Sequence, residues 1–308
     1  MLVFVNSTIL PFQALAQTSL VAQNTAPIPF PRPNRNNLQT TTTPTPATIV
    51  NTNINKEQSL TLNARISQDG SILSRGVVWR IFNAEPKKNG EMVLLNKSET
   101  SPAQFLLKSG DYIVHASYGY AQVSETINVS ENTQKTIILN SGALRLNAAI
   151  VGDIPISSSE MKFDVSTAAL SEEDRVIVAR DVKPNSMINL NAGNYNVISK
   201  FGNINARVSA DLKVEPGQIT DATLYHRAGR VSFKLVSEAG GRAIPDVDWE
   251  IKTVEGKTIF TSMSAFPSTI LSEGDYSIIA KRGQNIYNRD FSVQPGPARE
   301  IEVSISVY

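Results

Sequence analysis

The residues able to do chemistry are few and far apart in this chain. His115 and His226 are the only histidines in 308 residues, and there is no cysteine. Thiolate nucleophiles, disulfides and thiolate metal sites are excluded, as is a metal centre built on several imidazoles. His115 follows Val114 in "DYIVHASYG", where alternation places it on the outward face of a strand. His226, in "LYHRAG", reads as a linker residue. Glu172, Glu173 and Asp174 form an acidic run that lacks the spaced oxygen ligands and glycine of a calcium loop, so it reads as a solvated loop. Lys87, Lys88 and Glu91 precede "MVLLNKSET" and read as a hairpin unique to one part of the chain, a surface for recognition. No nucleophile stands beside a base, no two carboxylates are paired, and no G-x-S-x-G or phosphate-binding glycine pattern follows a strand. The sequence therefore predicts no catalytic residue, no cofactor site and no metal site, and the chain reads as a non-enzyme.

What positions these residues is a phrase written three times: "LLKSGDYIVHASYG", "NLNAGNYNVISKFG" and "ILSEGDYSIIAKRG". The paired glycines are Gly110 and Gly119, Gly193 and Gly202, Gly274 and Gly283. Their spacing of about 80 residues is that of a domain, longer than a solenoid repeat. Tyr112-Val114-Ala116, Tyr195-Val197-Ser199 and Tyr276-Ile278-Ala280 alternate, which puts each set on the buried face of a strand. A turn is expected after each strand pair, at Asn132, Pro216-Gly217 and Pro295-Gly296, with a left-handed residue at Asn132, Gly217 and Gly296. Ile137 and Leu139, Ala222 and Leu224, Ile301 and Val303 then mark a closing strand. Earlier in each unit a strand, a glycine-containing turn and a second strand recur, with Trp79, Phe163 and Trp249 as core aromatics. "ALSEEDRVIVAR" reads either as a helix or as a loop before a strand at Val176–Ala179. Short strands with frequent turn signals predict an all-β chain of three tandem immunoglobulin-like or transthyretin-like β-sandwiches, at 57–141, 142–227 and 228–308.

The N-terminal part has another character. "MLVFVNSTILPFQALA", residues 1–16, reads as a signal peptide whose Ala14-Leu15-Ala16 forms an A-x-A cleavage site, although no basic residue precedes Arg32. Residues 17–56 hold Pro27, Pro29, Pro31, Pro33, Pro44 and Pro46, a composition that predicts a disordered, partly extended linker. Lys and Arg total 29 against 28 acids, too balanced for the basic face that a nucleic-acid partner requires. No apolar run reaches the ~20 residues of a membrane-spanning helix.

"GRVSFKLVSEAGGRAIPDVDWEI", "LSEGDYSIIAKRG" and "FSVQPGPAREIEVSI" together resemble the carboxypeptidase regulatory-like domain, a transthyretin-like sandwich. Glu238-Ala239-Gly240 fits its first turn, but Pro245 comes late, and the Thr-Asp-x-x-Gly turn before the tyrosine strand is missing. The G-x-Y-x-V phrase with an upstream tryptophan also resembles immunoglobulin-type domains, leaving the sandwich topology open. The resemblance implies an accessory module. Together with the leader it predicts a non-catalytic, periplasmic or extracellular envelope protein, a spacer or protein-interaction arm whose partner is an envelope protein or polysaccharide. The alternative is a carbohydrate-binding protein that recognises an envelope or extracellular polysaccharide, with Tyr118, Tyr120 and Phe201 as its aromatic platform.

Overall fold

The computed structural model describes residues 56–305, apart from 170 and 172. The leader expected at 1–16 and nearly all of the linker expected at 17–56 lie outside these residues. The described chain is all-β, with strands short enough to cross a sandwich once and turns wherever glycine, proline or asparagine interrupts the alternation.

The first sandwich contains β1 (Glu57–Arg65), β2 (Val77–Asn83), β3 (Leu94–Ser98), β4 (Ala103–Lys108), β5 (Gly110–Tyr118), β6 (Ala121–Val129) and β7 (Thr133–Ile138). The second contains β8 (Ser141–Ile150), β9 (Ile154–Pro155), β10 (Met161–Thr167), β11 (Ile177–Val182), β12 (Met187–Asn191), β13 (Gly193–Phe201), β14 (Arg207–Val214) and β15 (Ile219–His226). The third contains β16 (Ala228–Val236), β17 (Asp248–Thr253), β18 (Thr258–Ser262), β19 (Ser268–Ser272), β20 (Gly274–Arg282), β21 (Asn285–Val293) and β22 (Gly296–Ser304).

Each sandwich has the same two sheets. The smaller are ordered β4-β1-β7, β12-β8-β15 and β19-β16-β22; the larger are β3-β2-β5-β6, β11-β10-β13-β14 and β18-β17-β20-β21. First and last strands of each sandwich run parallel, which is possible because the chain crosses between sheets before closing. Lettered in chain order, with the short β9 left out, the sheets are D-A-G and C-B-E-F. An immunoglobulin constant domain instead divides as A-B-E-D and C-F-G.

Between the sheets lie three apolar cores, one per sandwich. Trp79, Phe163 and Trp249 are buried in them, one in each, and so are the three tyrosines of the repeated phrase. The tyrosines also perform a polar task that alternation alone does not reveal. Tyr112 Oη donates to the Lys108 carbonyl at 2.7 Å, Tyr195 Oη to Asn191 at 2.9 Å, and Tyr276 Oη to Ser272 at 3.0 Å. Each hydroxyl ties the start of its strand to the carbonyl four residues back, across the turn made at Gly110, Gly193 or Gly274. The phrase thus recurs because one turn is built three times. Tyr195→Phe should cost about 1 kcal/mol of second-sandwich stability, the usual net worth of such a bond. An unchanged denaturation midpoint would show that the hydroxyl is better hydrated than bonded.

Of the two readings of "ALSEEDRVIVAR", the loop before a strand is the one found: turns precede β11, which begins at Ile177, and there is no helix among its described residues. Two expectations need correction. Asn132 is not left-handed, unlike Gly217 with φ 74°. Its Oδ1 accepts from the Ser59 N–H at 2.9 Å, so its side chain ties the bend between β6 and β7 to β1. The hairpin read as unique to the first unit leads to β3, which occupies the same sheet edge as β11 and β18. Even the turn at Lys87–Gly90 recurs, since the third sandwich makes the same one at Thr253–Gly256, with Gly90 at φ 81° and Gly256 at φ 80°.

Consecutive sandwiches are joined almost without linker. Leu139 and Asn140 separate β7 from β8, and Arg227 alone separates β15 from β16. Asn140 takes φ 47° and its carbonyl accepts from the Ala192 N–H at 2.8 Å, fixing the bend.

Candidate functional site

The structure brings together one pair that the sequence reading separated. His226 is the last residue of β15, 1% exposed, and its Nε2 lies 2.7 Å from Oγ of Ser199 on β13, itself 0% exposed. The two strands belong to opposite sheets, so this bond spans the sandwich. Phe201 meets the imidazole edge-on, with centroids 5.7 Å apart. Burial pushes the His226 pKa down from 6.5 to about 4, so the ring is neutral and holds Ser199 in a polar plug within an apolar core. A serine beside an imidazole is the beginning of a nucleophilic pair. Here, however, no substrate atom can approach either side chain, and the pair is structural. His226 is therefore a core residue, not a linker residue. The missed signal was parity: Ala222, Leu224 and His226 are two apart, on the inward face of one strand.

His115 stands on β5 opposite Ser124 of β6, its Nδ1 2.9 Å from the Ser124 Oγ. It is half-buried, and burial, aided by the Arg80 charge, lowers its pKa. Glu173 and Asp174 are exposed; Asp174 accepts from Ser171 Oγ at 2.7 Å, while Glu172 lies outside the described residues. Among the described residues no three of His, Asp and Glu group closely enough to hold a metal ion. Lys87 pairs with Glu91 at 3.1 Å, and Lys88 is exposed beside it. Both partners of that pair are open to water, so it closes the turn and contributes little stability.

The three aromatics of the expected platform are not on one face. Tyr118 is half-buried, packs on the first core and lays its ring over Gly76, where a Cβ would come within 2.9 Å of it. Tyr120 is 48% exposed. Phe201 is buried in the second core beside His226, so it presents no ring to a ligand. Alternation predicted a buried position two residues beyond Ser199, and the platform reading overlooked it. In the third sandwich a groove of about 280 Å³ is lined by Arg230, Arg289, Phe291 and Arg299. Its cations are already engaged: Arg230 with Glu160, Arg289 with the Glu302 carbonyl, and Arg299 with Gln294.

The construction that does repeat lies where sandwiches meet. The hairpin tip joining β5 to β6 rests on β12: a Cβ on Gly119 would stand 3.1 Å from Asn189 Cβ, and Tyr120 N–H donates to the Asn189 carbonyl at 3.0 Å. Asn191 then brackets Gln122, its Oδ1 accepting from the Gln122 N–H and its Nδ2 donating to the Gln122 carbonyl, both at 3.0 Å. At the next junction the tip joining β13 to β14 rests on β19. A Cβ on Gly202 would stand 3.0 Å from Ile270 Cβ, and Asn205 Oδ1 accepts from the Ser272 N–H at 3.0 Å. Asn205 Nδ2 also donates to Tyr276 Oη at 2.8 Å. Gly119 and Gly202 are left-handed, with φ 61° and 69°, as the reversal at the tip requires, and the close approach of the neighbouring strand adds a second, separate reason for glycine at both. In its first two copies the second glycine of the phrase is thus an interface residue.

No curated protein sequence matches the chain significantly. Among solved structures, the chain is similar to the Bacillus anthracis TIE protein at 15% identity and a TM-score of 0.25, covering 81% of this chain and 50% of that one, so it spans half the length of that relative. It is similar to a streptococcal ancillary pilin at 9% identity and a TM-score of 0.33, covering 82% of this chain and 100% of that one. The minor pilin GBS52 of Streptococcus agalactiae shares 11% identity at a TM-score of 0.32, over 55% of this chain and 95% of that chain. Residues 230–305, which span nearly all of the third sandwich, match a family described as the Rhizobiales growth-associated tandem repeat domain.

Proposed function

We propose that the chain is an exported, non-catalytic envelope protein in which three sandwiches, bounded at 57–141, 142–227 and 228–308, form a stiff spacer or protein-interaction arm. In this reading residues 1–16 are the leader, residues 17–56 the tether, and the location is periplasmic or extracellular. The observation that carries the reading is the pair of junctions: sandwiches separated by two residues and by one, each locked by a glycine tip on the next sandwich's edge strand. Two such locks suit an arm that must hold a distance. Polysaccharide recognition would need coplanar exposed rings; Tyr120 supplies one and buried Phe201 supplies none, so no observation favours it.

Crosslinking in the native cell, followed by fractionation, tests the assignment. The chain should be recovered from the envelope, joined to a protein partner; recovery from the cytosol would end this reading. Stiffness is testable separately. Small-angle scattering of the full chain should show its sandwiches as one extended shape, whereas Gly202→Val should require an ensemble of bent shapes. The new side chain would collide with Ile270 and adopt a left-handed backbone costing ~1–2 kcal/mol. Identical profiles would mean that the junction is not held by the tip.

A further inference from the structure

The two internal junctions are made from the same two parts, and one unused copy of each part remains. The tip part is the turn between β20 and β21, where Gly283 has φ 60°, matching Gly119 and Gly202, and where a Cβ would meet nothing within 4 Å. Three residues on from the glycine, where the other tips carry Gln122 and Asn205, this one carries Ile286, which is 66% exposed. The receiving part is the edge strand β4. Four residues before Gly110 stands Leu106, in the place held by Asn189 before Gly193 and by Ile270 before Gly274. Ile270, covered by the Gly202 tip, is 6% exposed and belongs to the second core; Leu106 is 65% exposed. Two residues on, where Asn191 and Ser272 bond the incoming tip, β4 carries Lys108, whose methylene stem can lie along an apolar neighbour.

We infer that the occupant of the Leu106 face is the Gly283–Ile286 tip of a second copy of this chain, so that copies join head to tail through a third junction of the kind each already contains twice. The match is one of shape and polarity. Inside the chain the contact positions Gln122 and Asn205 bond to the facing edge, and Ile204 of the second tip also packs on the third core, while the free tip and the free edge each present an exposed aliphatic at the contact position. The two surfaces differ and lie on different sandwiches, so the contact is heterologous: each added copy brings a fresh tip and a fresh edge, and copies extend into a chain or a closed ring. This inference does not depend on export; it requires only that the junction geometry recur.

Sedimentation of the full chain decides it. The average mass should rise with concentration, passing ~2 chains without stopping at a dimer. Leu106→Asp and Ile286→Asp each place a charge on an exposed position, so both variants should keep the wild-type circular dichroism and melting curve. Each alone should remain a single chain at every concentration. An equimolar mixture of the two should form pairs and nothing larger, because one variant keeps a sound tip and the other a sound edge. Association that survives in Ile286→Asp alone would indicate a symmetric contact and overturn the proposal. A mixture that fails to pair would overturn it too. So would a wild type that stays a single chain up to about 1 mM, whether residues 1–55, another partner or nothing covers Leu106.

Discussion

Gly142→Ala should unfold the second sandwich, at a cost of roughly 3 kcal/mol or more. Gly142 lies at the start of β8, and its backbone does not take the left-handed conformation that only glycine favours. The constraint is space. A Cβ there would sit 2.1 Å from the Glu215 carbonyl oxygen, 2.8 Å from that of Gln218 and 2.9 Å from Val214 Cγ1. Two of these are backbone atoms in the turn between β14 and β15, and that turn cannot retreat. Ala143 N–H donates to the Gln218 carbonyl at 2.9 Å, and Gly217 N–H donates to the Ser141 carbonyl at 2.8 Å. Opening space for one methyl group breaks both bonds and lifts the closing strand β15 from β8. Gly152→Ala is the control: φ is 90°, nothing stands within 4 Å of the added atom, and only ~1–2 kcal/mol of backbone strain is expected. Three sandwiches need not unfold in one transition, so amide hydrogen exchange within β8 to β15 is the proper readout. If the two variants exchange alike there, the close approach at Gly142 is more compliant than its contacts suggest.

The difference between Gly142 and the glycines of the repeated phrase also shows what the sequence could and could not reveal. Period-2 alternation around Tyr112, Tyr195 and Tyr276, repeated at domain spacing, was enough to predict an all-β tandem chain, because inward and outward faces impose that pattern on any half-buried strand. Alternation says nothing about what one sandwich does to the next. In the sequence Gly119 and Gly202 are only the second glycines of a repeated phrase; the contacts of β12 and β19 make them interface residues. Gly142 carried no signal at all: its neighbours, Glu215 and Gln218, lie more than 70 residues away in the chain. Phe201 and His226 failed for a different reason. Both belonged to an inward-facing series that had already been identified, but each was assigned from its chemical type, an aromatic as a platform and a histidine near a boundary as a linker. Where chemistry and parity disagreed, parity agreed with the structure, because burial of a strand face is collective and a single polar residue does not reverse it.

The chain should lose stability as pH falls from about 6.5 to about 4, and His226 should account for about 3 kcal/mol of that loss, on the order of 1.4 kcal/mol per pH unit. In the unfolded chain the imidazole takes a proton near 6.5, whereas in the folded second sandwich it resists protonation until about 4. The folded state thus binds fewer protons between those values. Its stability is fully present above 6.5, declines through the window and changes no further from this group below 4. The cause is burial: around the ring lie Ser199 and Phe201, and a charged imidazolium there would be cut off from water. Carboxylates with lowered pKa values contribute at lower pH. Asp181 is held down by Lys200, Asp221 by Arg145 and Glu250 chiefly by Thr258, and each loses its ion pair or hydrogen bond only as it protonates below the normal acid range. His115 shifts in the same direction as His226 but is half open to solvent, so its share is smaller. His226→Gln keeps a hydrogen-bonding group opposite Ser199 and removes the titration. Denaturation at pH 7.5 and at pH 4.5 should therefore show a steep fall for the natural chain and a much shallower one for the variant. Parallel slopes for the two proteins would place the acid sensitivity in the carboxylates and return His226 to an ordinary, hydrated pKa.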